Sequence, residues 1–142
     1  MGLNALSVRA QGFDISSWAI NYGRDILGVS NITDKWEDCP KTCGTLTALD
    51  VFEHMPLEKV RAVLSEVSAK SLLVRMPVCN ADGEDFALEV SRRDKTHITC
   101  LTKTQWGDLF AEYGYRLETI IAHKTIWDAE GALCRLYVKS GP

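Results

Sequence analysis

The feature that most constrains this chain is a nearly continuous apolar run, Leu46, Ala48, Leu49, Val51 and Phe52, interrupted by the single carboxylate Asp50 and followed closely by Pro56. Such runs suit strands covered on both faces of a parallel sheet, so this strand is expected to be central. Pro56 is suited to opening a helix, in which Val60, Val63, Leu64 and Val67 recur at helical spacing and Glu58 lies near the positive end. A second apolar run follows at residues 71–76. Strand, helix, strand is the unit from which parallel sheets are built.

The rest of the chain continues the alternation. Residues 8–13 form a short apolar run ending at Asp14; Ser16 and Ser17 are candidate caps, and Trp18, Ala19, Ile20, Tyr22, Ile26 and Leu27 follow at helical spacing until Gly28. Residues 77–93 are polar, lack periodicity and carry Asn80, Asp82 and Gly83, which predicts a long excursion over the surface. Thr102 caps a helix through Trp106, Leu109, Phe110 and Tyr113, terminated by Gly114. Two closing strands, residues 116–124 and 132–138, flank a turn at 128–131 and read as an antiparallel hairpin, with His123 inside the first of them as a structural histidine. The fold class is α/β, a mainly parallel sheet with a C-terminal antiparallel hairpin, and 142 residues fit a single domain, 1–142.

Composition narrows function mainly by exclusion. With 46% hydrophobic and 25% charged residues the chain is neither disordered nor fibrous. Its net charge of −3 and scattered basic residues leave nucleic-acid binding unsupported. No stretch approaches the roughly 20 apolar residues of a membrane span, and the N-terminus lacks a leader pattern, which points to a cytoplasmic protein without membrane partners. The five cysteines are odd in number and mostly dispersed, so reduced thiols are expected. Cys39 and Cys43 lack a second Cys or His pair at zinc-like spacing, and no metal ligand set is read.

Three segments carry a family resemblance: Gly12-Phe13-Asp14-Ile15-Ser16, then Ala48-Leu49-Asp50-Val51-Phe52-Glu53-His54-Met55-Pro56, then Asp94-Lys95-Thr96-His97-Ile98. In this order they resemble consecutive signatures of class I S-adenosylmethionine (SAM)-dependent methyltransferases, Rossmann-like proteins, especially the branch with Glu-His after the fourth strand and Asp-x-Thr-His after the fifth. The resemblance implies SAM as cofactor. It implies that Asp14 accepts hydrogen bonds from the ribose hydroxyls beside Ile15, that Asp34 takes the adenine amino group with the Lys35 amide facing the ring, and that Asp50 and Glu53 border the cofactor. Read alone, Asp14 and Asp34 equally suit turns or caps. His54 and His97 are the candidate catalytic residues, since an imidazole titrating near neutrality can serve as base for an acceptor. His54 equally suits a loop-ordering role.

The family's first strand and its Gly-x-Gly-x-Gly turn have no counterpart. Residues 1–7 resemble the end of the first helix, which places that strand upstream of Met1. Two consequences are expected: weaker cofactor binding, because backbone donors for the amino-acid portion are lost, and open strand edges. Direct pairing of the flanking strands, a second copy of the chain or a complementing chain would close that gap. The implied function is methyl transfer from SAM to an unidentified acceptor; the alternative is a non-catalytic remnant or partner-dependent interaction module.

Overall fold

The computed structural model describes residues 8–140, so the helix end expected in residues 1–7 lies outside the described residues. The chain divides into two compact units, residues 1–41 and 42–142. No helix among the described residues is long and apolar enough to cross a membrane.

In the first unit, strand β1 (Gly12–Phe13) and strand β2 (Ile32–Thr33) pair in parallel, with Gly12 opposite Ile32 and Phe13 opposite Thr33. Parallel neighbours require a crossover, and helix α1 (Ser17–Asp25) supplies it. Ser16 caps this helix, its hydroxyl accepting from the Ala19 amide at 3.2 Å, and Gly28 adopts φ +66, a left-handed conformation that suits glycine where the chain leaves the helix. The strand is shorter than the apolar run 8–13 suggests, because only Gly12 and Phe13 find ladder partners on β2.

The second unit contains β3 (Thr42–Leu49), a 3-10 turn (Phe52–His54), α2 (Leu57–Glu66), β4 (Ser68–Pro77), α3 (Glu89–Arg93), α4 (Lys103–Glu112), β5 (Tyr115–Ile120) and β6 (Ala132–Lys139). Its sheet has the order β3-β4-β6-β5. β3 and β4 are parallel, while β6 runs antiparallel to both β4 and β5, so three strands point one way and β6 opposes them. The expected C-terminal hairpin is therefore present, with β6 inserted between β4 and β5.

The core of this unit forms where Val60 and Leu64 of α2, Leu72, Val74 and Met76 of β4 and Leu133 of β6 are removed from water together with Phe52, Trp106 and Phe110. Each large apolar side chain buried in this way contributes ~1.5–3 kcal/mol of transfer free energy. Thr102 and Gln105 form a reciprocal capping box at the start of α4, and Gly114, at φ +82, follows its end. Arg61 of α2 and Glu112 of α4 form an ion pair across the surface.

Three sequence expectations are corrected. β3 is not central: it ends its sheet, and Ala48 is its sole buried residue. An apolar run records strand character but not how many neighbours the strand acquires. The 77–93 segment is not purely superficial, since Phe86 is buried and the backbone is tied by Val78 N–H to Gly131 O (3.0 Å) and Ala87 N–H to Val78 O (2.9 Å). His123 lies beyond the end of β5, in a loop where its Nδ1 is 3.2 Å from Thr125 Oγ1.

Candidate functional site

The first unit places two predicted residues side by side. Phe13 and Thr33 are register partners on adjacent parallel strands, so Asp14 and Asp34, the next residue on each, emerge together at the carboxyl edge of the pair. The Asp14 amide donates to Thr33 O at 3.1 Å, and Asp14 Oδ1 accepts from the Ser16 amide at 2.8 Å. The turn role open to Asp14 is thus realised. A carboxylate offers about four lone-pair sites, so one such bond leaves capacity for further donors. Ile15 is 86% exposed, and Asp34 and Lys35 are exposed. The Lys35 amide donates to Thr33 Oγ1 at 3.1 Å. Nearby, Trp36 packs edge-on against Phe13 with ring centroids 5.5 Å apart, and Lys41 Nζ lies 3.7 Å from the Trp36 ring centroid.

The second unit gathers the other four. Asp50 follows β3 directly, in a left-handed conformation (φ 54) unusual for a residue with a side chain, and it forms an ion pair with Arg75 of β4. Its amide also donates to Arg75 O at 2.7 Å. Beyond it the 3-10 turn carries Glu53 and His54. The Ile98 and Thr99 amides both donate to Glu53 O, at 2.8 and 3.0 Å, and Thr99 Oγ1 donates to Met55 O at 2.6 Å. These bonds fasten the Asp94-to-His97 loop to the 3-10 turn. His54 and His97 end with ring centroids 4.7 Å apart although 43 positions separate them.

For the neutral form of each histidine, the hydrogen bonds select one tautomer. Thr96 Oγ1 donates to Asp94 Oδ1 at 2.6 Å, so its oxygen accepts from His54 Nδ1–H at 2.8 Å. His97 Nδ1–H donates to the Ser91 carbonyl at 2.9 Å. Each imidazole therefore carries its free lone pair on Nε2. Bonds from the Thr96 hydroxyl and amide hold the Asp94 carboxyl below its usual range.

Glu53 is the anomaly of the site. Its side chain is 0% exposed, and neither carboxylate oxygen has a hydrogen-bond partner among the described residues. Burial pushes its pKa up from 4.5 to about 7. Glu53 and His97, with Asp50, Arg75, Ser91 and Asp94, help to line a cleft of about 220 Å³. Sequence reading had singled out Asp50, Glu53 and both histidines as candidates. It missed Arg75 and Thr96 as partners, because an ion pair between neighbouring strands and a hydroxyl relay between loops leave no mark in a local pattern.

No known family description matches the chain, and no curated protein sequence matches it. The fold does have counterparts among solved structures. A SAM-dependent methyltransferase from Archaeoglobus fulgidus superposes with a TM-score of 0.68 at 13% identity, over 96% of this chain and 79% of that one. The pyocyanin biosynthetic protein PhzM gives 0.64 at 11% identity, over 97% of this chain and 45% of its own. Magnesium protoporphyrin IX methyltransferase (ChlM) from Synechocystis PCC 6803, solved with bound SAH, gives 0.56 at 14% identity, over 92% and 64%. The chain thus spans less than half of PhzM. At these identities the likeness concerns architecture alone: the chain has the Rossmann-like fold of SAM-dependent methyltransferases.

Proposed function

We propose that this chain is part of a SAM-dependent methyltransferase, with Asp14 and Asp34 holding the adenosine portion of the cofactor and the cleft beside Asp50, Arg75, Asp94 and His97 receiving the methyl acceptor. The observation that carries this reading is the placement of Asp14 and Asp34 next to each other at the carboxyl ends of parallel strands, the edge where open α/β sheets bind ligands. The residues fit the group. Asp14 retains acceptor capacity for ribose hydroxyls, and the exposed Asp34 carboxylate is an acceptor for an exocyclic amine.

When bound, SAM supplies an electrophilic methyl group on a sulfonium. The protein's part is alignment and proton handling. An acceptor hydroxyl or amine in the cleft meets the imidazole of His97, whose ring is fixed by the Ser91 carbonyl, so a proton can be taken without first reorienting the base. Arg75, on β4, supplies positive charge for an anionic or carbonyl-bearing acceptor, at the cost of its pairing with Asp50.

Isothermal titration calorimetry with SAM and with S-adenosylhomocysteine tests the cofactor assignment. Binding is expected, weakened at least tenfold in Asp14→Ala. Absence of binding to the unmodified chain at millimolar ligand removes the proposal.

A further inference from the structure

We propose that Glu53, His54 and His97 form a binding site for one divalent first-row transition-metal ion, Zn²⁺ or a similar cation, beside the cleft that Glu53 and His97 help to line. One potential ligand atom from each residue lies within 4.8 Å of the other two, and the Glu53 Oε1 to His54 Nε2 separation is 4.0 Å. Two imidazole nitrogens and one carboxylate make a borderline ligand set of the kind that Zn²⁺ and neighbouring divalent ions select over calcium or magnesium.

Three independent features point to a cation rather than a chance cluster. First, the Glu53 carboxylate is wholly buried with no donor to either oxygen, a state that normally demands compensation by a pair or a metal. Second, both histidines already make the outer contacts characteristic of metal-bound imidazoles. His54 Nδ1–H donates to a threonine hydroxyl backed by the Asp94 carboxylate, and His97 Nδ1–H donates to the Ser91 carbonyl. Such bonds fix the tautomer and leave Nε2 as ligand. Third, the supports are rigid, because the loops bearing the three residues are joined by the Ile98 and Thr99 amides on Glu53 O.

Ligand atoms around a Zn²⁺ ion with bonds of about 2.1 Å stand about 3.4 Å apart. Binding therefore draws the three groups inward by less than about an ångström each, within reach of side-chain torsions. Three protein ligands leave at least one coordination position open, and two of the three, Glu53 and His97, help to line the cleft that also holds Asp50, Arg75 and Asp94. Asp94 Oδ2, 3.6 Å from His97 Nε2, stands at its edge. With the ion bound, the Nε2 lone pairs are engaged and the ion replaces the free imidazole in activating the acceptor: an oxygen taking the open position would be held and made more acidic. The site itself stands on geometry and holds whether or not the cofactor assignment does.

The test uses the metal alone. The chain, stripped with chelator, is dialysed against buffered Zn²⁺ and, separately, Co²⁺, and bound metal is measured per chain. One equivalent is expected, with at least tenfold weaker binding in Glu53→Gln and in His97→Gln and unchanged binding in Cys39→Ser/Cys43→Ser. The Co²⁺ form should show d–d absorption without a thiolate charge-transfer band. No stoichiometric binding, a thiolate band, or full binding in the Glu53→Gln/His97→Gln double variant with an unaltered circular dichroism spectrum overturns the proposal.

Discussion

Glu53 allows a stability prediction with a defined sign. In the unfolded chain its carboxyl titrates at the ordinary value of 4.5, whereas in the folded, metal-free protein burial raises this to about 7. The folded state thus keeps a proton that the unfolded state releases. Stability from this group is fully present below about pH 4.5, declines as pH rises, and is lost once pH passes about 7. A gap of about 2.5 pH units corresponds to about 3 kcal/mol. The perturbation is Glu53→Gln, which keeps the shape and cannot ionise. Urea unfolding of both proteins between pH 4.5 and 8.5, in chelator and followed by the near-UV signal of buried aromatic residues including Trp106, isolates the effect, since the two proteins differ only at this residue. Relative to the wild type, the variant should gain about 3 kcal/mol across this range, most of it between pH 5 and 7. A stability difference independent of pH would refute the reasoning, because Glu53 would then titrate alike in both states.

Three further outcomes follow from single contacts. Asp128 is largely buried; burial raises its pKa, but bonds from Lys103, the Cys134 amide and Arg135 outweigh this and hold the carboxyl low, so Asp128→Ala should destabilise by about 3 kcal/mol by stranding two cations, read as a lower urea midpoint. Gly131 has φ +74, and an added Cβ would lie 2.7 Å from Leu88 Cγ; Gly131→Ala should therefore cost about 2 kcal/mol and lower the melting temperature, whereas Gly44→Ala, with nothing within 4 Å, should cost much less. Thr102→Ala removes the hydroxyl that accepts from the Gln105 amide in the capping box and should cost about 1 kcal/mol, with faster amide exchange confined to the first turn of α4.

What the sequence disclosed follows from what local patterns encode. Alternating apolar runs and helical spacing located β3, α2, β4 and α4, and the acids at strand ends marked the carboxyl edge, because both signals depend on residues near one another along the chain. Neighbour relations do not. The run through Ala48 and Leu49 reads like that of a central strand, yet β3 ends its sheet, a matter decided by which strands pair with it. Likewise His54 and His97 were each visible, but their approach depends on two backbone amides converging on one carbonyl. The turn role of Asp14 was legible from Asp-Ile-Ser and coexists with its exposed position at the strand end.

Glu53 also shows why the site is hard to explain by stability alone. An apolar side chain of similar size would fill the same buried position without a desolvation penalty, and replacing uncompensated buried charge in this way is commonly stabilising. Its neighbours could in principle have supplied donors, but the arrangement withholds them. The imidazoles grouped with it, His54 and His97, turn their Nδ1–H groups toward Thr96 and Ser91 and, when neutral, leave lone pairs on Nε2. Once Glu53 ionises, above about pH 7, nitrogen lone pairs near its carboxylate repel it, and an electron-pair acceptor shared by all three groups would relieve this. A cation meets that requirement fully; a single proton can serve only one or two of the three at a time.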